Sequence, residues 1–237
     1  MRIIYYDTET TGLKSETDRI VEIAGYESNS EESYSALINP QIPIPPESSR
    51  IHKISDEMVA DAPSFAEIGE KFIEFCGEDA ILIAHNNDNF DIHFLYAEFE
   101  RHKLKMPSSW RFVDSLKWAR RYRPDLPRHT LQYLREMYHF SANNAHRALD
   151  DVMVLKNVFM EMTRGLPMET VYNILQKEIK ITNMPFGKYR GKKLNDVPGD
   201  YLQWLYDSGA LNKAHNYKLR DALKERNLIS DKEPSLI

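Results

Sequence analysis

Near its start the chain carries three apolar runs, each too short for a helix and each closed by turn residues. Ile3-Ile4-Tyr5-Tyr6 leads into Asp7-Thr8-Glu9-Thr10-Thr11 and stops at Gly12, which predicts a buried strand. Residues 19–26 and 34–38 predict two more strands, the last stopped by Asn39-Pro40. Three short strands in succession predict an antiparallel meander, and Pro43-Ile44-Pro45-Pro46 predicts a loop. Beyond it the period lengthens. Phe65, Ile68, Phe72, Ile73 and Phe75 follow helical spacing, with Ser64 and Glu67 as a capping box. Residues 80–84 read as a buried strand, 90–102 as a helix and 110–113 as a strand. Asp114 is placed to cap a helix over 116–122, and further helices fit 131–138 and 148–162. Strands first, then alternating β and α, indicate an α/β layer fold, a mixed sheet flanked by helices over residues 1–162. Residues 163–182 read as a helical connector. At Asn183 the texture changes to Met-Pro-Phe-Gly-Lys-Tyr-Arg-Gly-Lys-Lys, and residues 183–237 read as a small α+β module. Within it, Tyr201, Trp204 and Leu205 share a helical face and are expected to form a small core.

Four polar segments interrupt this pattern. Side chains alternate along a strand, so Asp7 and Glu9 point the same way at the end of an apolar run. Two carboxylates there repel each other and resist desolvation, which a divalent cation would relieve. Taken alone, the pair also fits a solvated edge or a helix N-cap. His85-Asn86-Asn87-Asp88-Asn89-Phe90-Asp91 follows the strand at 80–84, at the kind of strand end where α/β sheets hold ligands. It also fits a polar turn with Asp91 as a cap. His146-Arg147-Ala148-Leu149-Asp150-Asp151 fits a helix start with an acidic first turn. His52, between Ile51 and Lys53-Ile54, reads first as a packed histidine.

Composition narrows the class of protein. No apolar stretch is long enough to span a membrane, and no secretory signal precedes the first strand, so a cytoplasmic location is expected. Cys76 is the single cysteine, which rules out an intramolecular disulfide. The net charge of −5 does not fit a generic basic nucleic-acid binder. Residues 1–182 hold 21 Lys+Arg and 29 Asp+Glu, a charge of −8, whereas residues 183–237 hold 10 and 7, a charge of +3. Lys117, Arg120, Arg121, Arg123 and Arg128 form a basic stretch that fits either a solvated helix face or a path for a nucleic-acid strand.

The segments together resemble the DEDDh (DnaQ-like) 3′–5′ exonucleases. Asp-x-Glu on the first strand, His-Asn-x-x-x-Phe-Asp after a later strand and His-Arg-Ala-Leu-Asp-Asp at a late helix occur in the family's order. The resemblance covers nearly all of residues 1–162 and includes Ile51-His52-Lys53-Ile54-Ser55-Asp56-Glu57-Met58-Val59. The layout is closest to the exodeoxyribonuclease X type, whose tail residues 186–191 and 200–205 also resemble, and the second motif has TREX-like spacing. The resemblance implies a ribonuclease H-like fold. It implies that Asp7, Glu9, Asp91 and Asp151 hold two divalent ions, Mg²⁺ or Mn²⁺, and that His146 is the general base. Helical spacing would pair His146 with Asp150, and the family pattern selects Asp151 instead. Thr8, Thr10, Leu13, His52, Asn86 and Phe90 are the implied substrate contacts, with Leu13 and Phe90 as stacking residues whose alternative is core packing.

The implied reaction is hydrolysis of the terminal 3′ phosphodiester of DNA, releasing nucleoside 5′-monophosphates, in repair or degradation. Two ions roughly 4 Å apart activate a water and stabilise the leaving oxygen in such sites. Oxygen ligands suit Mg²⁺ or Mn²⁺ better than zinc. An RNA exonuclease and a proofreading subunit bound to a replicative polymerase are the alternatives, and a polymerase subunit or a second copy of the chain are the further partners they imply.

Overall fold

The computed structural model describes residues 1–141, 147–177, 181–212 and 216–230. The chain forms two compact units, Met1–Gln176 and Lys177–Ile237.

In the first unit, five strands among the described residues form one sheet in the order β3-β2-β1-β4-β5. They are β1 (Arg2–Thr10), β2 (Ile20–Glu27), β3 (Ser33–Leu37), β4 (Ala80–Ala84) and β5 (Arg111–Asp114). The first three form the expected antiparallel meander, while β4 runs parallel to β1 and β5 parallel to β4. Both faces are covered, which is why β1 and β4 read as continuous apolar runs rather than alternating ones. Ile4, Tyr6 and Leu82 point to one face, beneath α3 (Phe65–Cys76) and α4 (Asp91–Arg101). Tyr5, Ile81 and Ile83 point to the other, beneath α7 (Ala148–Thr163). Cys76 lies fully inside the first of these layers.

Shorter elements complete the unit: α1 (Pro46–His52), α2 (Asp56–Val59), α5 (Ser115–Tyr122) and α6 (Leu131–Met137). Asp114 caps α5 as expected, accepting from the N–H groups of Leu116 and Lys117. Ser64 occupies the N-cap of α3 without a side-chain cap bond, so the expected capping box does not form. Within the stretch read as a connector, α8 (Met168–Gln176) packs Met168, Val171 and Leu175 into the layer under α7. Those residues therefore belong to the first unit. No helix among the described residues is long and apolar enough to cross a membrane.

The second unit contains α9 (Gly199–Asp207) and α10 (Tyr217–Glu225). Met184, Leu194, Leu202, Leu205 and Leu219 centre its core. Among the described residues its β component is one antiparallel bridge, Asn183 to Lys193. The expected placement of Trp204 is overturned: Leu205 is buried, but Trp204 is 59% exposed. A helical face is about 100° wide, and Leu202 and Leu205 already fill the buried side.

Candidate active site

The site grows from the end of β1. Asp7 and Glu9 are half-buried on one side of the strand, and the pairing with β2 shifts register immediately after Glu9. Such a bulge re-aims side chains at the end of a ladder. Asp151, in the first turn of α7, descends on the same face. One carboxylate oxygen from each of Asp7, Glu9 and Asp151 lies within 4.8 Å of the others. The family pattern selects Asp151 over Asp150, and helix packing brings Asp151 to this pair.

Two residues missed in the sequence hold this arrangement. Glu22 is only 1% exposed and lies directly across from Glu9 on β2. Its carboxylate accepts from Arg147 Nη2 at 3.1 Å and from the Ala148 N–H at 3.3 Å. It therefore fixes the start of α7 from another strand, serving the helix's free N–H groups where no local cap does. Gln132 on α6 donates to Asp151 Oδ1 at 3.0 Å, and Arg135 donates to Gln132 Oε1 at 2.8 Å. A charged residue inside the apolar run of β2 was a readable signal for Glu22. Nothing in the local sequence marked Gln132.

Asp91 arrives from the opposite layer. It is the first residue of α4, where Phe90 takes the N-cap position, so the expected capping role is not the one it has. It is 2% exposed and accepts from the Thr8 hydroxyl at 2.8 Å. The loop before it is held by Asp114, which accepts from the N–H groups of Asn86 at 3.0 Å and Asp88 at 3.2 Å. Tyr6 donates to Asn87 within the same loop. Asn86 has a left-handed backbone, φ 70°, a conformation that asparagine tolerates better than most residues. His85 bridges Ser115 and the His129 carbonyl, and burial lowers its pKa to about 4, so its ring is neutral. A cleft of about 300 Å³ is lined by Asp7, Glu9, Asp91 and Asp151, together with Asn86 and Gln132.

The carboxylates repel one another. Burial, and then the charges of Asp91, Glu9 and Asp151, push the Asp7 pKa well above the usual carboxylate range. Burial, then Asp151 and Glu22, push Glu9 up to about 8. Burial raises Asp91 to about 7 even though the Thr8 hydroxyl favours its charged form. Without cations the folded chain thus holds protons that the unfolded chain, with Glu near 4.5, has released. Stability of the metal-free protein must fall as pH rises from about 5 to about 8. The expected result is a Tm in EDTA that declines across this window and a decline removed by saturating Mg²⁺. A flat Tm profile in EDTA would contradict it.

Beside the acids lies a second cavity of about 650 Å³, lined by Thr10, Leu13, Ile51, His52 and Phe90 among others. Leu13 is 84% exposed at its rim, which excludes the core-packing alternative for this residue. Its loop is pinned by Asp18, which accepts from the Lys14 N–H at 2.8 Å and leaves no room for a side chain at Gly12. The Thr10 hydroxyl donates to the Gly12 carbonyl at 2.6 Å. His52 is buried, with Nδ1 accepting from the Ile54 N–H at 3.1 Å. Phe90 is partly buried against Phe94, with ring centroids 4.9 Å apart. In the basic stretch, Lys117 pairs with Asp88 and Arg123 with Asp125, while Arg121 donates to the Ile174 carbonyl. His146 lies outside the described residues, immediately before the anchored Arg147.

A family model described as "Exonuclease" matches residues 4–159. The chain belongs to this exonuclease family. Its first unit is a 3′–5′ exonuclease domain with the ribonuclease H-like arrangement expected from the motifs. It is 41% identical over 162 residues to the DNA polymerase III subunit epsilon of Treponema pallidum, covering 66% of this chain and 74% of that one. It is 32% identical over 182 residues to exonuclease DPD1 of Arabidopsis thaliana, covering 70% of this chain and 57% of that protein. A polymerase III of PolC type from Caldanaerobacter subterraneus is matched over only 13% of its length. Among solved structures, exonuclease X in complex with 5′ overhanging duplex DNA superposes with a TM-score of 0.54 at 26% identity, over 73% of this chain and 99% of that one. The zinc-bound E. coli exonuclease I complex with single-stranded DNA shares the fold, with a TM-score of 0.62 at 19% identity, over 73% and 43% of the two chains. A second family model, described for a quorum-sensing-regulated virulence factor, matches residues 172–214, chiefly in the second unit.

Proposed function

We propose that the exonuclease domain hydrolyses the terminal 3′ phosphodiester of DNA and releases nucleoside 5′-monophosphates, with Asp7, Glu9, Asp91 and Asp151 holding two Mg²⁺ or Mn²⁺ ions. One observation carries this reading. Three carboxylates converge within 4.8 Å at the end of a buried strand, at a mutual electrostatic cost that bound divalent cations would relieve without protonation. When bound, divalent ions supply activation of a water and neutralisation of the leaving oxygen. The chain's own residues do the rest. Gln132 and Thr8 orient Asp151 and Asp91 by direct hydrogen bonds. Glu22 sets the start of α7 and so the approach of Asp151. His146, the general base that the family motif implies, accepts the proton of the attacking water. Leu13 and Phe90 offer apolar faces to the terminal bases, and stacking of this kind accepts any sequence. Thr10, His52 and Asn86 shape the walls against which the terminal nucleotide lies.

The domain boundaries follow the same reading: an exonuclease domain over 1–162, a connector over 163–182 whose helix docks on it, and a separate module over 183–237. A free-standing repair or degradation nuclease is favoured, because the second unit matches a different family. A polymerase-bound proofreading subunit is the second reading, favoured by the 41% identity to an epsilon subunit.

The test is a digestion panel of end-labelled single-stranded DNA, duplex DNA and RNA with Mg²⁺, Mn²⁺ or EDTA. Release of mononucleotides from DNA 3′ ends with either metal is expected, and EDTA should abolish it. Cleavage persisting in EDTA would refute the metal assignment, and faster cleavage of RNA would refute the DNA assignment. Co-purification with a polymerase subunit would favour the second reading.

A further inference from the structure

The second unit carries an aromatic and basic surface to which the proposed reaction assigns no role. On α9, Trp204 is 59% exposed while its neighbours Leu202 and Leu205 are buried. Trp204 does not stand alone. The Tyr201 ring lies 5.8 Å from it, and Tyr189 packs edge-on to Tyr201 with centroids 4.8 Å apart. The Tyr201 hydroxyl lies against Gly187, where φ is 74° and a side chain would collide with it, so the 187–191 turn is fitted to this aromatic row. That turn brings cations to the row. The ammonium groups of Lys188 and Lys192 each lie 5.5 Å from the Tyr189 ring centroid. Arg190 and Lys193 flank them, and all four are exposed. None of the four forms a salt bridge with a described residue. On α9, Asp200 accepts from the Tyr201 N–H and Asp207 from Gln203.

A single exposed apolar side chain is ordinary, but an exposed indole continuous with two partly exposed tyrosines is a patch of the kind that marks an interaction surface. A purely apolar partner would explain the indole but not the exposed cations of the 188–193 turn, two of which lie over the Tyr189 ring of the same row. A polyanion with accessible flat faces satisfies both, the phosphates meeting the cations and a base meeting the ring. Duplex DNA keeps its bases stacked on one another, so an unpaired strand fits better. The positive charge of residues 183–237, against −8 for the rest of the chain, agrees with this.

We propose that the second unit binds single-stranded nucleic acid, with Trp204 and Tyr201 as the stacking platform and Lys188, Arg190, Lys192 and Lys193 as phosphate contacts. This gives the chain a nucleic-acid site in the second unit, separate from the carboxylates of the first.

Tryptophan fluorescence reads this out in the full chain, because Trp110 and Trp118 are buried and Trp204 is the exposed indole. Titration with an oligothymidylate in EDTA, where no cleavage intervenes, should quench the exposed component. By anisotropy of a labelled oligonucleotide, Trp204→Ala should weaken binding about tenfold and Trp204→Phe should retain most of it. Lys188→Ala with Lys192→Ala should flatten the dependence of affinity on salt by a slope of about one to two. Duplex DNA of equal length should quench less. Strand binding with unchanged Trp204 fluorescence, or equal affinity in Trp204→Ala, would overturn the proposal and leave the row to a protein partner. Because binding is read in EDTA, its loss is separable from any failure of the exonuclease assignment.

Discussion

Asp7→Asn is expected to abolish exonuclease activity while making the metal-free protein more stable. Both effects come from one carboxylate. Asp7 sits among Asp91, Glu9 and Asp151, and its burial beside those charges keeps its pKa far above the ordinary range. Replacing it with a neutral isostere removes one of the proposed metal ligands, and the several kcal/mol that a cation would contribute to the reaction should be lost with it. Turnover should fall by roughly 10³-fold or more, at tenfold for each 1.36 kcal/mol. In EDTA near pH 8 the same substitution removes the cost of holding on Asp7, in the folded state, a proton that the unfolded chain has released. Tm should rise by about 2–4 °C for each kcal/mol relieved. The Tm increase on adding Mg²⁺ should shrink or vanish. Single-turnover digestion and thermal melts with and without EDTA measure all of this. A variant that is active, or that melts lower than wild type in EDTA, would remove Asp7 from the centre of the site.

His146→Ala is expected to separate catalysis from metal binding. A positioned general base contributes about 10²–10⁴-fold in rate, so kcat should drop by that factor. The Mg²⁺-induced Tm increase should stay at the wild-type value, since the four carboxylates and their supports Gln132, Thr8 and Glu22 are intact. The acid limb of the rate profile, which reports titration of the base, should flatten with it. Loss of the Tm increase together with activity would instead assign His146 to holding the site together. Wild-type turnover would remove it from the reaction.

The legible parts of this protein were those written in local pattern. The strand at 80–84 was read residue for residue, because five apolar residues bounded by polar ones are too short for a buried helix and fit a strand covered on both faces. The cap at Asp114 was readable because its two bonds lie within three residues of it. The same-face placement of Asp7 and Glu9 followed from the two-residue period of a strand. The capping box at Ser64 failed although its pattern was present, since a pattern offers a bond without obliging it. Trp204 failed for a related reason: helical period shows which residues share a face but not how wide the buried part is, and Leu202 and Leu205 had already filled it.

By itself, then, the sequence determined the strands, most of the helices, the acidic pair and, through the order of its motifs, the exonuclease family. Only the tertiary structure decided how the distant acids meet. Asp151 comes down from α7 on the layer that Asp7 and Glu9 face, while Asp91 comes from α4 on the other layer and is tied in by Thr8. It also brought Glu22, 126 residues before Ala148, to the start of the helix that carries Asp151. The physical reason is that charge repulsion, desolvation and long-range hydrogen bonds depend on distances through space. Sheet order and helix packing set those distances, and no local spacing encodes them.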